Sequence, residues 1–214
     1  PETDTGADYS FADYQIPLMS LAQLYRNDLS HFPLSGQYLS VPEERVQKWK
    51  SRLDKFGERP KIGLCWRSFN SGWYKRPFSA DLLDLIPVLE SGPLVFINLQ
   101  GDDCKAEIEE LKNFNKFTVC EFDDLDIKND AKEVAALLCA LDAVVSCRCW
   151  ITAFAGALGG PVFTFSAPFN AQMFDLNYDP WAPSTQVFYR EYDETWDRCM
   201  RKLAAAMIKS LDTK

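Results

Sequence analysis

The chain has 214 residues and a formal net charge of −8, and 47% of its residues are hydrophobic and 14% aromatic. This much apolar material excludes a disordered chain. The acidic balance, without a long Lys/Arg cluster, excludes a general nucleic-acid binder. No apolar run reaches the roughly 18 residues of a membrane-spanning helix, so no membrane span is predicted.

The seven cysteines form an odd-numbered set that lies mostly in apolar runs. They predict reduced, buried thiols in a cytoplasmic protein, because a secreted disulfide framework is usually short and rich in loops. The close spacing of Cys147 and Cys149 is typical of zinc ligands. Zinc needs about four ligands, however, and the sequence has no second Cys pair and no His pair. No metal site is therefore predicted. The single His31 lies in "LSHFPLSG", which predicts an exposed loop residue and removes most His-dependent nucleophilic mechanisms.

Residues 1–60 are predicted to form a helical linker or extension. Within them, "IPLMSLAQLYRNDL" spaces its apolar residues as a short helix does. "VPEERVQKWKSRLDKFG" is a clearer helix, with acidic residues in its first turn and Gly57 as its stop. One face of that helix is apolar and consists of Val46, Trp49 and Leu53.

Residues 61–214 are predicted to form the main domain, in which apolar runs alternate with segments of helical period. The predicted strands are "KIGLCW", "PLVFINLQ", "KFTVCEF", "AVVSC" and "PVFTFS". The predicted helices are "ADLLDLIPVLE", "CKAEIEELKNF", "AKEVAALLCALD" and "ITAFAGALGG". A long amphipathic helix, "DETWDRCMRKLAAAMIKSLD", follows, and its apolar stripe consists of Trp196, Met200, Leu203, Met207 and Leu211. This alternation predicts an α/β fold, a Rossmann-like parallel sheet with helices on both faces and a long C-terminal helix.

The loops at the carboxyl ends of the strands are the expected ligand-binding edge of such a sheet. The turn after "AVVSC" leads directly into a helix, which puts free backbone N–H groups where a phosphate can bind. The candidate site residues in these loops are Arg67, Ser68, Arg76, Gln100, Arg148, Cys149, Trp150 and Ile151.

Two other patterns favour structural roles. Asp130 precedes "AKEVAALL" and has Glu133 three residues later, so the acidic run Asp123–Asp130 predicts a helix cap with a capping box more than a general base. The glycines of "AGALGG" come at the end of a helix. They predict close helix–sheet packing and a helix stop, because a phosphate loop would precede its helix.

The order of several segments resembles the glycosyltransferase-like domain at the end of bacterial tetratricopeptide-repeat proteins. These segments are "GLCWRS", "FINLQGDDCKAEIEEL", "FDDLDIKNDAKEVAALLCALDAVVS", "AGALGGPVF" and "DPWAPSTQVFYR". That domain is similar to the donor-binding half of GT-B glycosyltransferases, including heptosyltransferases and O-linked N-acetylglucosamine transferases. The resemblance extends from Tyr14 to Leu211.

The resemblance implies a nucleotide-sugar substrate, an acceptor protein or glycan, and neither a cofactor nor a catalytic metal. The turn amides of Cys149–Ile151 would face the donor diphosphate, and Arg67 and Arg76 would neutralise it. Gln100 would line the site, and the "DPWAPS" loop would lie at the same edge. The full-length chain would also contain a tetratricopeptide-repeat or first Rossmann domain, and the general base would come from that missing part.

The chain departs from its better-known relatives in the turn. They carry an Asp-Thr or Asp-Ser pair there and a His one helical turn later, where this chain has Arg148, Cys149 and Ala153. Arg148 can supply positive charge to a diphosphate or pair with the acidic run Asp123–Asp130. Trp150 can stack on a base or fill the cleft. The alternative function is therefore a binding or scaffold module of a larger repeat protein that transfers no sugar.

Overall fold

The computed structural model describes residues 10–32, 36–68, 77–113, 117–168 and 176–213. The chain divides into two compact units, Pro1–Pro33 and Leu34–Lys214. The first unit contains α1 (Leu18–Tyr25) and a short 3-10 turn in which His31 is exposed, as predicted. In the described part of the chain, no helix has the length and apolar character needed to cross a bilayer.

The second unit alternates strands and helices as the sequence predicts. Its elements are α2 (Glu43–Leu53), β1 (Lys61–Cys65), α3 (Ile86–Leu89), β2 (Val95–Asn98), α4 (Lys105–Asn113), β3 (Val119–Cys120), α5 (Ala131–Ala140), β4 (Ala143–Cys147), α6 (Trp150–Ala157), β5 (Val162–Ser166), β6 (Tyr178–Asp179), β7 (Ala182–Tyr189) and α7 (Trp196–Leu211). The helix predicted over "ADLLDLIPVLE" is in fact a 3-10 turn followed by the short α3. The Asp81 side chain caps the N-terminus of this turn, and Asp84 reaches back to the Asp81 amide at 2.9 Å.

The seven strands form one sheet in the order β3-β2-β1-β4-β5-β7-β6. All neighbouring pairs are parallel except the antiparallel pair β6–β7. From β1 the chain adds β2 and then β3 towards one edge of the sheet. It then returns to place β4 on the other side of β1 and adds β5 beside β4. The loops that follow β1 and β4 therefore diverge, and they leave a crevice at the carboxyl edge of the sheet, as in Rossmann-like folds. The predicted fold class is confirmed.

The segment "DPWAPSTQVFYR" differs from its prediction, because it contains the end of β6, the turn between β6 and β7 and the whole of β7. β7 pairs with β5 in parallel, with Thr185 beside Val162 and Tyr189 beside Ser166. The "DPWAPS" turn thus precedes the amino end of β7, and the expectation of a loop at the carboxyl edge was wrong. The strand is hard to recognise from its sequence because its buried positions are few and irregularly spaced.

Two hydrophobic clusters cover the two faces of the sheet. One contains Trp66, Phe163 and Phe165 together with residues of α3, α4 and α7, and the other contains Trp49 and Leu53 together with residues of α5 and α6. The predicted apolar stripe of α7 is confirmed by the residues that it buries, Trp196, Met200, Leu203 and Met207. α2 thus contributes to the core of the second unit, while the predicted domain division at residue 60 stays a prediction.

Gly156 lets α6 approach β7 closely, as the glycine pattern predicts. A Cβ atom at this position would lie 2.7 Å from the Ala182 Cβ and 2.8 Å from the Thr185 Oγ1. We expect Gly156→Val to lower the free energy of unfolding by about 1–3 kcal/mol, because the helix has to move away from the strand. Urea unfolding measures the loss. Ala153→Val, on the exposed side of the same helix, is the matched control, and equal losses in both variants would contradict the packing argument.

Candidate functional site

The crevice between β1 and β4 brings together most of the predicted site residues. Cys65, the last residue of β1, lies beside Ser146 near the end of β4. The chain leaves β1 through Arg67 and Ser68, and it leaves β4 through Arg148 into α6. Arg76, the remaining predicted cation, lies outside the described residues.

The start of α6 is fixed to the end of β4 by side-chain hydrogen bonds. The hydroxyls of Ser146 and Thr152 both donate to the Cys147 carbonyl, at 2.7 and 2.6 Å. Cys149 occupies the N-cap position in an extended conformation, and it offers no side-chain oxygen to the first-turn amides. The Ile151 side chain is fully buried, so this residue can offer a ligand at the crevice only its backbone.

Trp150 is half-buried at the first position of α6. Its ring lies against the Phe154 ring of the same helix, with 5.7 Å between centroids. Both rings are partly buried against the hydrophobic cluster that contains Trp49. Stacking on a nucleotide base stays a prediction.

Arg148 is half-buried at the crevice. Burial lowers the pKa of its guanidinium, and the charges of Asp179 and Tyr189 oppose that shift. The acidic run that the sequence offers as an alternative partner is engaged elsewhere. Asp124 binds Arg52 at 2.6 Å, and Asp130 accepts from the Glu133 amide at 3.0 Å as the predicted cap of α5.

Arg67 is held by carboxylates of the neighbouring loop and helix. Its Nε donates to Asp102 Oδ2 at 2.8 Å, its Nη1 pairs with Glu107, and its Nη2 donates to the Asp103 carbonyl at 3.2 Å. Burial alone would lower the pKa of Arg67, but Glu107 and Asp102 raise it. A diphosphate would therefore compete with two carboxylates for this guanidinium, which the sequence alone could not reveal.

Gln100 is buried and uses its full hydrogen-bonding capacity. Its Oε1 accepts from the amides of Trp66 and Arg67 at 3.2 Å each. Its Nε2 donates to the Arg67 carbonyl at 2.9 Å and to Asp102 at 2.5 Å. An amide has two donor hydrogens and two acceptor lone pairs, so these bonds saturate it. Gln100 thus positions the end of β1, and ligand contact by its amide stays a prediction.

An acidic cavity of about 190 Å³ adjoins the crevice at the ends of β2 and β3. It is lined by Gln100 and by four carboxylates, those of Asp102, Asp103, Glu121 and Asp123, with Lys105 as a basic lining residue. Carboxylates accept hydrogen bonds from hydroxyl groups and repel phosphate. A phosphate is therefore disfavoured in this cavity. A larger apolar cavity of about 520 Å³ lies between α2, α5 and α6, away from the crevice.

Three thiols meet at the bottom of the crevice. The Sγ atoms of Cys65, Cys147 and Cys149 all lie within 4.8 Å of one another, and those of Cys65 and Cys149 are 3.6 Å apart. Hydrogen bonds from the Cys147 and Cys65 thiols lower the pKa of Cys149 well below its usual value. Sequence reasoning paired Cys147 with Cys149 and missed Cys65. A signal was available, because Cys65 and Cys147 are the last residues of two adjacent strands.

Comparison with known proteins identifies one sequence relative and a shared fold. Protein FlbA of Caulobacter vibrioides is 32% identical over 196 residues, which are 91% of this chain and 33% of FlbA. No protein-family model matches the chain. The chain spans about one third of the length of FlbA.

Solved structures of known proteins match the chain, among them those of two heptosyltransferases. The E. coli ADP-heptose lipopolysaccharide heptosyltransferase II superposes with a TM-score of 0.56 at 18% identity, over 85% of this chain and 57% of that chain. E. coli heptosyltransferase WaaC, solved with ADP-2-deoxy-2-fluoro heptose, gives a TM-score of 0.44 at 16% identity, over 78% of this chain and 47% of that chain. The first likeness establishes a GT-B glycosyltransferase-like Rossmann fold for this chain. The association with tetratricopeptide repeats stays a prediction.

Proposed function

We propose that this chain is the donor-binding part of a GT-B-type glycosyltransferase. It binds a nucleotide-sugar at the crevice between β1 and β4 and transfers the sugar, without a catalytic metal, together with a further domain. The further domain would belong to the full-length protein, and the acceptor would be a protein or a glycan. The same proposal gives the protein a cytoplasmic location.

The observation that carries the proposal is the junction of β4 with α6 at the switch point of the sheet. The N-cap residue Cys149 offers the first-turn amides only a sulfur atom, a weak acceptor that interacts with the Ile151 amide, so a stronger acceptor such as a phosphate can replace it. The helix dipole also favours an anion at this end. Arg148 adds a cation directly before that turn. A diphosphate is the part of a nucleotide-sugar that this combination of amides and guanidinium suits.

The acidic cavity beside the crevice supports a donor that carries hydroxyl groups as well as phosphate. Asp102, Glu121 and Asp123 offer several acceptor oxygens within one cavity of about 190 Å³. Ribose and sugar hydroxyls can donate to such oxygens, whereas phosphates are repelled. The charge pattern of this edge thus separates a phosphate-binding side from a hydroxyl-binding side.

Thermal melting with millimolar ADP, UDP or GDP, or with their sugar conjugates, tests the proposal. A nucleotide present at about 100 times its dissociation constant should stabilise the chain by about 2.7 kcal/mol and raise Tm by several degrees. A shift with one base identifies the donor class. The absence of any shift, repeated with the full-length protein, would contradict donor binding.

Arg148→Ala should weaken nucleotide binding by about 1.5–3 kcal/mol, because a charge-assisted hydrogen bond to the diphosphate is lost. This corresponds to a rise in Kd of roughly 10- to 150-fold. Isothermal titration calorimetry measures the change. The matched control is Arg201→Ala, which removes an exposed arginine paired with Asp197 on α7. An unchanged Kd in Arg148→Ala would remove this residue from the site.

A second candidate function is a binding or scaffold module that transfers no sugar. The ion pairs of Arg67 with Asp102 and Glu107 favour it, because a guanidinium that is already paired with two carboxylates is less available to bind a diphosphate. The full-length protein containing such a module would neither hydrolyse a nucleotide-sugar nor transfer its sugar. Turnover of a radiolabelled nucleotide-sugar by the full-length protein would exclude it.

A further inference from the structure

The three thiols at the bottom of the crevice supply three potential metal ligands, of which Cys65 comes from a different strand than the Cys147–Cys149 pair. We propose that Cys65, Cys147 and Cys149 bind one thiophilic metal ion, of which Zn²⁺ is the first candidate, through their three sulfur atoms. This inference does not rest on the proposed sugar transfer, because it concerns the floor of the crevice and not the donor.

The spacing of the sulfur atoms fits one ion. Zn²⁺ binds thiolates at about 2.3 Å, so the sulfur atoms around one tetrahedral or trigonal ion lie about 3.8–4.0 Å apart. Here Cys65 and Cys149 are separated by 3.6 Å, and no pair in the cluster exceeds 4.8 Å. Adjustments of less than about 1 Å, within the reach of a change in side-chain torsion, bring all three sulfur atoms into contact with one ion.

The surroundings of the cluster provide an entry path and a supporting group. Cys65 and Cys147 are buried, and Cys149 is the partly exposed member of the cluster, so an ion or a fourth ligand such as water would reach the site on the Cys149 side. The Ser146 Oγ lies 3.5 Å from the Cys149 Sγ. Its hydroxyl can turn from the Cys147 carbonyl and donate to a Cys149 thiolate, as groups around the ligands of metal proteins do.

Metal binding changes the charge of this buried cluster from zero to about −1, so the strength of the metal–thiolate bonds has to exceed the cost of burying that charge. Three thiols release up to three protons to solvent when they bind Zn²⁺ as thiolates, and the resulting site carries a net charge of about −1. Soft thiolate ligands select Zn²⁺ and Cu⁺ over Mg²⁺ and Ca²⁺. The bound ion would link the ends of β1 and β4 to the first residue before α6, and it would thereby fix the geometry of the crevice.

Titration of the reduced, metal-free chain with Co²⁺ under anaerobic conditions tests the site. We expect one equivalent to bind with thiolate-to-cobalt charge-transfer absorption, and Zn²⁺ to displace it. Cys149→Ser should raise the Kd for Zn²⁺ by at least about 10- to 100-fold, the range that the loss of an outer-shell partner alone can cause. Cys139→Ser, which removes a half-buried thiol of α5 outside the cluster, is the matched control.

A second measurement needs no variant and keeps the test independent of folding defects. X-ray absorption of the Zn²⁺-loaded wild-type chain should show three sulfur ligands at about 2.3 Å. Zinc bound only through nitrogen and oxygen, Co²⁺ binding without charge-transfer absorption, or an equal loss of affinity in Cys139→Ser would each overturn the proposal. A reduced chain that forms a Cys65–Cys149 disulfide on mild oxidation but binds no Zn²⁺ would also overturn it, in favour of a redox pair.

Discussion

Trp49→Ala is expected to lower the free energy of unfolding by about 3–5 kcal/mol, the cost of removing a large buried aromatic side chain. Only 1% of Trp49 is exposed, and its ring meets Phe122 edge-on with 5.0 Å between centroids. The Arg52 guanidinium lies over the indole, 4.2 Å from its centroid, and is 4.7 Å from the centroid of the Phe122 ring. Chemical denaturation of the two proteins measures the difference.

The indole N–H of Trp49 adds a polar component to this cost. It donates to Glu133 Oε2 at 2.9 Å, and Glu133 also pairs with Arg45 at 2.5 Å and Lys48 at 3.4 Å. Trp49→Phe keeps an aromatic ring and removes the donor, so we expect it to lose about 1–3 kcal/mol. If residues before position 61 served only as a linker, Trp49→Ala would change the stability by less than about 0.5 kcal/mol, and this outcome would contradict the packing described above.

The fold could be predicted from the sequence because its signals are local. Continuous apolar runs predicted the parallel strands, and the spacing of Trp196, Met200 and Leu203 predicted the buried face of α7. The capping box around Asp130 was only half correct. Asp130 does cap α5, but the Glu133 carboxylate turns to α2, because Arg45 and the Trp49 indole offer it charged and buried donors.

The site was less predictable because its properties depend on contacts between distant segments. The sequence placed Arg67 at the correct edge, but the pairing with Glu107 exists only because α4 packs beside the end of β1. The third thiol, Cys65, joins Cys147 and Cys149 through the pairing of β1 with β4. Neither partnership leaves a trace in local composition or periodicity.

Trp66→Ala is the second substitution with a large expected effect, again about 3–5 kcal/mol of unfolding free energy. Trp66 is fully buried in the cluster on the α7 face, directly after β1. Its indole N–H donates to Glu107 Oε2 at 2.6 Å, and the same carboxylate pairs with Arg67. The two large tryptophan effects thus arise on opposite faces of the sheet, each with a glutamate that also binds an arginine.

Comparison with Glu107→Gln separates packing from hydrogen bonding at Trp66. The glutamine keeps an oxygen acceptor for the indole but removes the charge that holds Arg67. We therefore expect it to lose no more than about 1–2 kcal/mol of unfolding free energy, well below the loss in Trp66→Ala. Equal losses in the two variants would mean that the Glu107 network, and not the buried ring, stabilises the end of β1. Because Arg67 leaves the sheet directly after Trp66, that result would make the Glu107 carboxylate the main support of this side of the candidate site.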